Sequence, residues 1–184
     1  MKKALDLEQV FPEVNEITDQ RLRSSVMKVW QELWNASEWN DFAEVPTSRE
    51  IPYSHVPHNR AVVRMAIAVA DVFEEVHGVK VDRDLLIAAA LLQDASKLVE
   101  MRPGADGKAE ASRIGKSYPH AFWAAHVALQ QGVREDVVHI ILTHSPGSPK
   151  FPESLEGKIL YYVDQLDVLA IYKDRWKKQL MISK

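Results

Sequence analysis

Apolar residues recur at three- and four-residue spacing along most of the chain, which is the period of an amphipathic helix. One such stripe runs from Pro57 to His77. Proline suits the first helical turn, and Gly78 suits the position just past the helix end. Asp82 then precedes a run of eight apolar residues, Leu85 to Leu92. A helix that is apolar on all sides usually lies at the centre of a domain.

The remaining apolar stripes predict four more helices. The first begins after a Thr18 N-cap. The second runs from Pro119 to about Gly132, the third from about Arg134 to Ser145, and the fourth from near Ser154 to the C-terminus. No alternating run bounded by hairpin turns is evident. The polar segment from Val99 to Ser117 is predicted to be a long loop, and loops of this length in compact domains are often functional.

The pattern predicts an all-α fold of one main domain, residues 50–184, with residues 1–49 as an N-terminal helical extension packed on it. The net charge of −3, from 23 Lys+Arg and 26 Asp+Glu, argues against a broad basic face for nucleic acid. The absence of cysteine excludes disulfides, thiolate catalysis and iron–sulfur clusters. No apolar run is long enough for a membrane span or a signal peptide. We therefore expect a cytoplasmic protein with neither membrane nor nucleic acid as partner.

Residues that can bind metals stand at the ends of several predicted helices. They are His58, Asp94, His120 and His144, and Asp164 lies within the last apolar stretch. Polar groups at helix ends can converge on one pocket while the apolar faces pack. Asp94 follows the central apolar run closely, and a carboxylate is costly to bury there unless it is paired. A bound cation is a natural partner for it.

The order and local spelling of these residues resemble the HD-domain metal-dependent phosphohydrolases. The matching segments are HNRAVVRMA, AALLQDASKL, HAFWAAHVAL, VVHIILTH and YYVDQLDVL, within about residues 50–170. The resemblance implies a helical bundle of the HD-domain type. It also implies a first metal held by His58, position 93, Asp94 and Asp164. A second metal would share Asp94 and take His120 and His144.

Position 93 departs from the family pattern because Gln93 stands where the signature histidine of the His-Asp doublet belongs. Glutamine can coordinate only through its amide oxygen, a harder donor than imidazole. This favours magnesium, manganese or calcium over metals that prefer imidazole. Gln93 could equally face away, or mark a decayed site. His55 is the nearest candidate to replace the missing imidazole.

Basic residues near the predicted metal site are candidates for binding an anionic substrate. Lys97 lies three residues after Asp94, on the same helical face, where it can pair with phosphate oxygens and act in catalysis with Asp94. The long polar segment adds Arg102, Arg113 and Lys116, which can guide a substrate toward the metal. Each of these side chains could also be an ordinary solvated charge.

Three functions fit the pattern. The leading interpretation is a metal-dependent phosphohydrolase of the phosphoric monoester class that uses one or two Mn, Mg or Fe ions and acts on a small phosphomonoester or a nucleotide. The first alternative is an HD-type di-iron oxygenase acting on a small alcohol or phosphonate, although iron prefers imidazole to an amide oxygen. The second is a non-catalytic ligand-binding protein with a degenerate metal site. A homodimer is compatible with all three.

Overall fold

The helices of the computed structural model, which describes residues 4–171, follow the order of the predicted apolar stripes. They are α1 (Leu7–Val10), α2 (Gln20–Ala36), α3 (His55–His77), α4 (Arg83–Leu92), α5 (Lys97–Glu100), α6 (Arg113–Ser117), α7 (Phe122–Gln130), α8 (Glu135–Thr143) and α9 (Leu155–Ile171). Single 3-10 turns cover Pro12–Glu16 and Phe42–Glu44. The all-α prediction is confirmed. The part of the predicted last helix beyond Ile171 lies outside the described residues.

Four short strands accompany the helices. They are β1 (Pro46–Ser48), β2 (Ile51–Ser54), β3 (Met101–Pro103) and β4 (Ala109–Ala111). They pair as two separate antiparallel hairpins, β1 with β2 and β3 with β4. Neither hairpin is predicted by the apolar pattern, because three- and four-residue strands are too short to show an alternating run.

Helix α4 lies at the centre of the fold, as its apolar sequence predicts. All eight residues from Leu85 to Leu92 are buried, and the helix contacts α2, α3, α8 and α9. Its N-terminus is capped by Asp82, whose carboxylate accepts a hydrogen bond from the Leu85 amide at 3.0 Å. Each buried leucine contributes about 1.5–3 kcal/mol by leaving water. Between residues 4 and 171 no helix is long and apolar enough to cross a membrane.

Two predicted helix starts differ from the observed ones for local reasons. Helix α3 begins at His55 rather than Pro57, because the Ser54 hydroxyl accepts a hydrogen bond from the Val56 amide. Helix α2 is capped by Asp19, not by Thr18 as predicted. The Thr18 hydroxyl instead donates to a carboxylate oxygen of Asp84 at 2.8 Å, which ties the start of α2 to α4. Long-range partners of this kind are not visible in the local sequence.

Residues 5–45 contribute to the same hydrophobic core as the later helices. Phe11, Trp30 and Phe42 pack against one another with ring centroids 5.0 to 6.0 Å apart, and the ring of His55 from α3 joins this group. A boundary between residues 49 and 50 would fall in the turn of the β1–β2 hairpin. The division into an extension and a main domain stays a prediction.

The segment predicted as a long loop, Val99 to Ser117, is folded. It forms the β3–β4 hairpin followed by α6, so the loop prediction is wrong. The hairpin turns at Asp106-Gly107, where Gly107 has a φ of +76°. Asp-Gly is a strong turn signal, and it is the local feature that indicates this hairpin in the sequence.

Helix α6 packs so closely on α5 that Gly115 has no room for a side chain. A Cβ atom there would overlap the backbone carbonyl of Glu100, the same carbonyl that accepts the Ser112 amide at 2.9 Å. We expect Gly115→Ala to lower the free energy of unfolding by about 1–3 kcal/mol in urea denaturation, because the two helices must separate. Gly147 has no atom within 4 Å of a built Cβ, so Gly147→Ala is the matched control and should leave stability unchanged or slightly raised. Equal losses in both variants would contradict this packing.

Candidate metal centre

The five predicted metal ligands meet around one buried carboxylate, that of Asp94. Asp94 lies in the turn between α4 and α5 and is 1% exposed. His58 Nε2, in the first turns of α3, lies 3.2 Å from Asp94 Oδ2 and 3.3 Å from Asp164 Oδ1 on α9. On the other side, His120 Nε2 and His144 Nε2 lie 3.2 and 3.9 Å from Asp94 Oδ1. Residues from four separate parts of the chain thus converge on Asp94.

These side chains form two candidate ligand groups that share Asp94. One contains His58, Asp94 and Asp164, and the other contains Asp94, His120 and His144. Within each group the ligand atoms lie within 4.8 Å of one another. Because each Asp94 oxygen faces a different group, this carboxylate is placed to bridge two ions. The division matches the one that the family resemblance implies.

Each of the three histidines is held through its other ring nitrogen. His58 Nδ1 lies 2.7 Å from Asp167 Oδ2, and His120 Nδ1 lies 2.9 Å from Glu100 Oε2. His144 Nδ1 lies 2.7 Å from the backbone carbonyl of Ile141. A hydrogen bond at Nδ1 fixes the ring orientation and leaves Nε2 for a metal. Histidines that bind metals in proteins almost always have such a partner.

Glu100 and Asp167 hold two of the candidate ligands in place, and the sequence analysis missed both. Asp167 lies one helical turn after Asp164, so its spacing is the signal that could have found it. Glu100 ends α5, and its carboxylate also accepts hydrogen bonds from the Ser96 hydroxyl at 2.5 Å and the Ala121 amide at 2.9 Å. Nothing in the local sequence indicates these contacts of Glu100.

The surrounding carboxylates raise the pKa values of His58 and His120 strongly. Burial by itself lowers the pKa of His58, but hydrogen bonds to Asp164, Asp167 and Asp94 outweigh it and raise the value to about 10. Burial also lowers the pKa of His120, but its hydrogen bonds to the carboxylates of Asp94 and Glu100 outweigh burial and raise the pKa to about 10. The surroundings of both rings therefore favour added positive charge.

Asp94 stays ionised although it is buried. Burial would raise its pKa, but the Lys97 ammonium and hydrogen bonds from His120 and His58 hold the pKa well below its ordinary value. Lys97 Nζ lies 2.5 Å from Asp94 Oδ2. The carboxylates of the cluster are those of Asp94, Glu100, Asp164 and Asp167, and they outnumber their positive partners, the Lys97 ammonium and the imidazoles of His58 and His120. This imbalance is favourable for binding cations.

Gln93 is fully buried beside Asp94, and neither its amide oxygen nor its amide nitrogen has a hydrogen-bond partner among the described residues. A buried polar group left unpaired costs about 1–3 kcal/mol. If its amide oxygen faces a metal, its NH2 group needs an acceptor, and none of the described residues provides an acceptor oxygen to it. His55 is buried with Nδ1 3.2 Å from the Val45 carbonyl, and burial lowers its pKa to about 4. It belongs to neither ligand group.

The other predicted substrate-binding residues lie on the hairpin and on α6. Arg102 in β3 pairs with Glu110 at 2.8 Å, and Arg113 and Lys116 are exposed on α6. The ion pairs of Arg102 are with Glu38 and Glu110, outside the Asp94 cluster, whereas Lys97 touches Asp94 directly. The segment reaches the cluster through Glu100, which contacts His120. The roles of Arg102, Arg113 and Lys116 stay predictions.

Comparison with known proteins agrees with this geometry. A family model described as HD domain matches residues 56–169. The dihydroneopterin 2′,3′-cyclic phosphate phosphodiesterase of Methanocaldococcus jannaschii is 33% identical over 113 residues, which are 61% of this chain and 45% of that protein. The 3′-5′ exoribonuclease YhaM of Bacillus velezensis is 30% identical over 151 residues, which are 76% of this chain and 46% of that protein.

The chain spans about half the length of the curated relatives it matches. No solved structure matches it significantly. The family match begins two residues before His58 and ends five residues after Asp164, so it contains all five predicted ligands. Since this match covers more than half of the sequence, the chain belongs to the HD domain family.

Proposed function

We propose that this chain is a metal-dependent phosphohydrolase whose metal centre is built on Asp94. The observation that carries the proposal is the orientation of three imidazoles from three separate elements. His58, His120 and His144 each have Nδ1 held by an oxygen acceptor and Nε2 within 4 Å of an Asp94 oxygen. The two relatives described above, a phosphodiesterase and an exoribonuclease, support the same chemistry.

The donor set fits divalent ions of intermediate hardness. Two carboxylates and one imidazole form the first ligand group, and one carboxylate and two imidazoles form the second. Such mixed oxygen and nitrogen sets suit Mn or Fe, and the oxygen-rich group also suits Mg. One or two ions would be held, with Asp94 shared. A bound ion supplies Lewis-acid polarisation of a phosphoryl oxygen and lowers the pKa of a water molecule.

The protein groups around Asp94 have separate tasks in this proposal. Asp94 is the central ligand, and Lys97 balances its charge until a phosphate group arrives, when its ammonium can pair with a non-bridging oxygen. His120 is 36% exposed in its side chain, whereas His58 and His144 are nearly buried. The substrate therefore approaches from the His120 side. Arg102, Arg113 and Lys116 are proposed to attract its negative charge.

The substrate class is the finer part of the proposal. The family resemblance favours a small phosphomonoester or nucleotide, whereas the names of the relatives favour phosphodiesters. The exoribonuclease among them also counts against the expectation that nucleic acid is not a partner. A homodimer stays a prediction.

Metal content separates the proposal from its alternatives. Bound iron with colour and oxygen uptake would support a di-iron oxygenase, and a protein that retains no divalent metal would support a non-catalytic binder. Manganese or magnesium with phosphoester turnover supports the hydrolase. Elemental analysis of the purified protein gives this answer before any substrate is known.

The first test measures hydrolysis of three phosphoesters in the presence of Mn, Mg or Fe. One is a monoester, p-nitrophenyl phosphate, and two are diesters, bis(p-nitrophenyl) phosphate and adenosine 2′,3′-cyclic phosphate. We expect metal-dependent release of product from at least one of them. Asp94→Asn should abolish it, and Lys97→Met should lower kcat roughly 10²–10³-fold, because it removes charge stabilisation of the transition state. Asp106→Asn and Lys158→Met, both at exposed positions, are the matched controls. Unchanged turnover in Asp94→Asn would overturn the proposal.

The second test concerns Gln93. If its amide oxygen faces the first metal, Gln93→His should tighten binding of Mn or Fe, because imidazole is the better donor for these ions. Calorimetric titration with Mn measures the change. Gln131→His, on the partly exposed end of α7, is the control for a general effect of an added histidine. An unchanged affinity in Gln93→His would show that position 93 faces away from the metal.

The third test concerns Glu100, which holds His120 in place. Glu100→Gln should weaken binding of Mn about 10- to 100-fold, because the partner of a histidine ligand sets its orientation and basicity. Calorimetric titration measures this change, and circular dichroism checks that the fold is kept. Glu110→Gln, on the exposed side of the β3–β4 hairpin, is the control. If Glu100→Gln and Glu110→Gln bind Mn with equal affinity, Glu100 has no part in the metal centre.

A further inference from the structure

Beside His120 the surface carries a group of aromatic rings that the metal chemistry does not use. Tyr118 and Phe122 are stacked with centroids 5.1 Å apart and planes at 5°, and His126 continues the row at 6.3 Å and 6°. Trp123 lies behind this row, 5.3 Å from the rings of both Tyr118 and His126. We name Tyr118, Phe122, Trp123 and His126 the aromatic platform.

Two rings of the platform are open to solvent. Tyr118 is 41% exposed and Phe122 is 38% exposed, whereas Trp30, Phe11 and Phe42 are buried in the core. Exposed aromatic rings that lie parallel to one another can extend their stack by one more planar ring. Exposed apolar groups of this size are typical of surfaces that bind a ligand or a partner.

A cavity of about 230 Å³ lies against the platform. Its lining includes Tyr118, Trp123, Ile114 and Met101, with Arg113 and Glu38 as the charged members. Pockets that enclose a drug-sized ligand measure about 300–1,000 Å³, so this cavity suits one planar ring system rather than a whole substrate. Arg113 supplies a hydrogen-bond donor and Glu38 an acceptor for the polar edge of such a ring.

The platform is tied to the metal centre by the chain itself. Tyr118 and Phe122 each stand two residues from His120, so their Cα atoms lie within about 7 Å of the Cα of His120. His120 is also the cluster histidine with the most exposed side chain. A molecule with its phosphate at Asp94 and His120 can therefore place a ring on the platform.

We propose that the aromatic platform binds a planar heteroaromatic ring carried by the phosphoester substrate, with Tyr118 as the main stacking residue. This rests on the proposed function for the position of the phosphate, but the ring site itself can be tested without metal or turnover. It assigns Arg113, already expected to bind substrate, to the edge of the ring.

The test of the ring site uses adenosine, which has no phosphate, titrated calorimetrically into the metal-free protein. We expect saturable binding that Tyr118→Ala weakens about 5- to 150-fold, the range for loss of one base-stacking ring. Tyr118→Phe keeps the ring and should keep the affinity. Tyr162→Ala removes a tyrosine that is 64% exposed in a different aromatic group and is the matched control. Absence of adenosine binding, or equal affinity in Tyr118→Ala and the wild type, would overturn the proposal.

Kinetics separate this proposal from the proposed function. With adenosine 2′,3′-cyclic phosphate as substrate, Tyr118→Ala should raise KM by a similar factor and keep kcat. With methyl riboside 2′,3′-cyclic phosphate, which has no base, the variant and the wild type should behave alike. A fall in kcat with both substrates would indicate damage to the metal centre and count against the platform. If the wild type hydrolyses no phosphoester with any metal, the proposed function fails while the adenosine titration still decides the ring site.

Discussion

A buried carboxylate needs compensating charge, and Asp94, at the centre of this fold, is such a carboxylate. Its side chain is 2% exposed, so water cannot solvate it, and each of its oxygens has to find partners inside the fold. The partners come from α3, from α5, from the turn before α7 and from the end of α8. Three of these partners, His58, His120 and His144, lie far from Asp94 in the sequence. Asp94 is therefore the point at which the candidate metal ligands meet.

Helix α4 is the reason that Asp94 is buried. Because Leu85 to Leu92 is apolar on all sides, the helix can only be stable in the centre of the fold, and its C-terminal turn is then also inside. Gln93, Asp94 and Ser96 are consequently almost inaccessible to solvent, although all three are polar. The energy gained by burying the apolar run offsets the cost of burying these groups. A surface helix with the same ending would leave the carboxylate hydrated and less able to hold an ion.

The helices and the meeting of the five candidate ligands could be predicted because their signals are local. Apolar spacing gives helix positions directly, and the spelling around His58, Asp94 and Asp164 resembles a family pattern. The Asp84 contact to Thr18 and the Glu100 contact to His120 could not be predicted, because each joins residues brought together only by the tertiary fold. The β3–β4 hairpin was missed for a different reason. Its Asp-Gly turn is a clear signal, but its strands are too short for a visible alternation.

The two ligand groups on Asp94 differ in chemical hardness, and Gln93 increases that difference. The group with His58 and Asp164 is rich in oxygen donors, and a glutamine at position 93 can add only another oxygen or nothing. The group with His120 and His144 is rich in nitrogen donors and has Glu100 behind it. Softer divalent ions should therefore prefer the second group, and hard ions the first. Since the second group is also the one next to solvent and the aromatic platform, an ion held there by imidazoles would be best placed to meet the substrate of the proposed function. The family pattern assigns position 93 to the first group, so in this proposal the imidazole is missing from the group that lies farther from solvent.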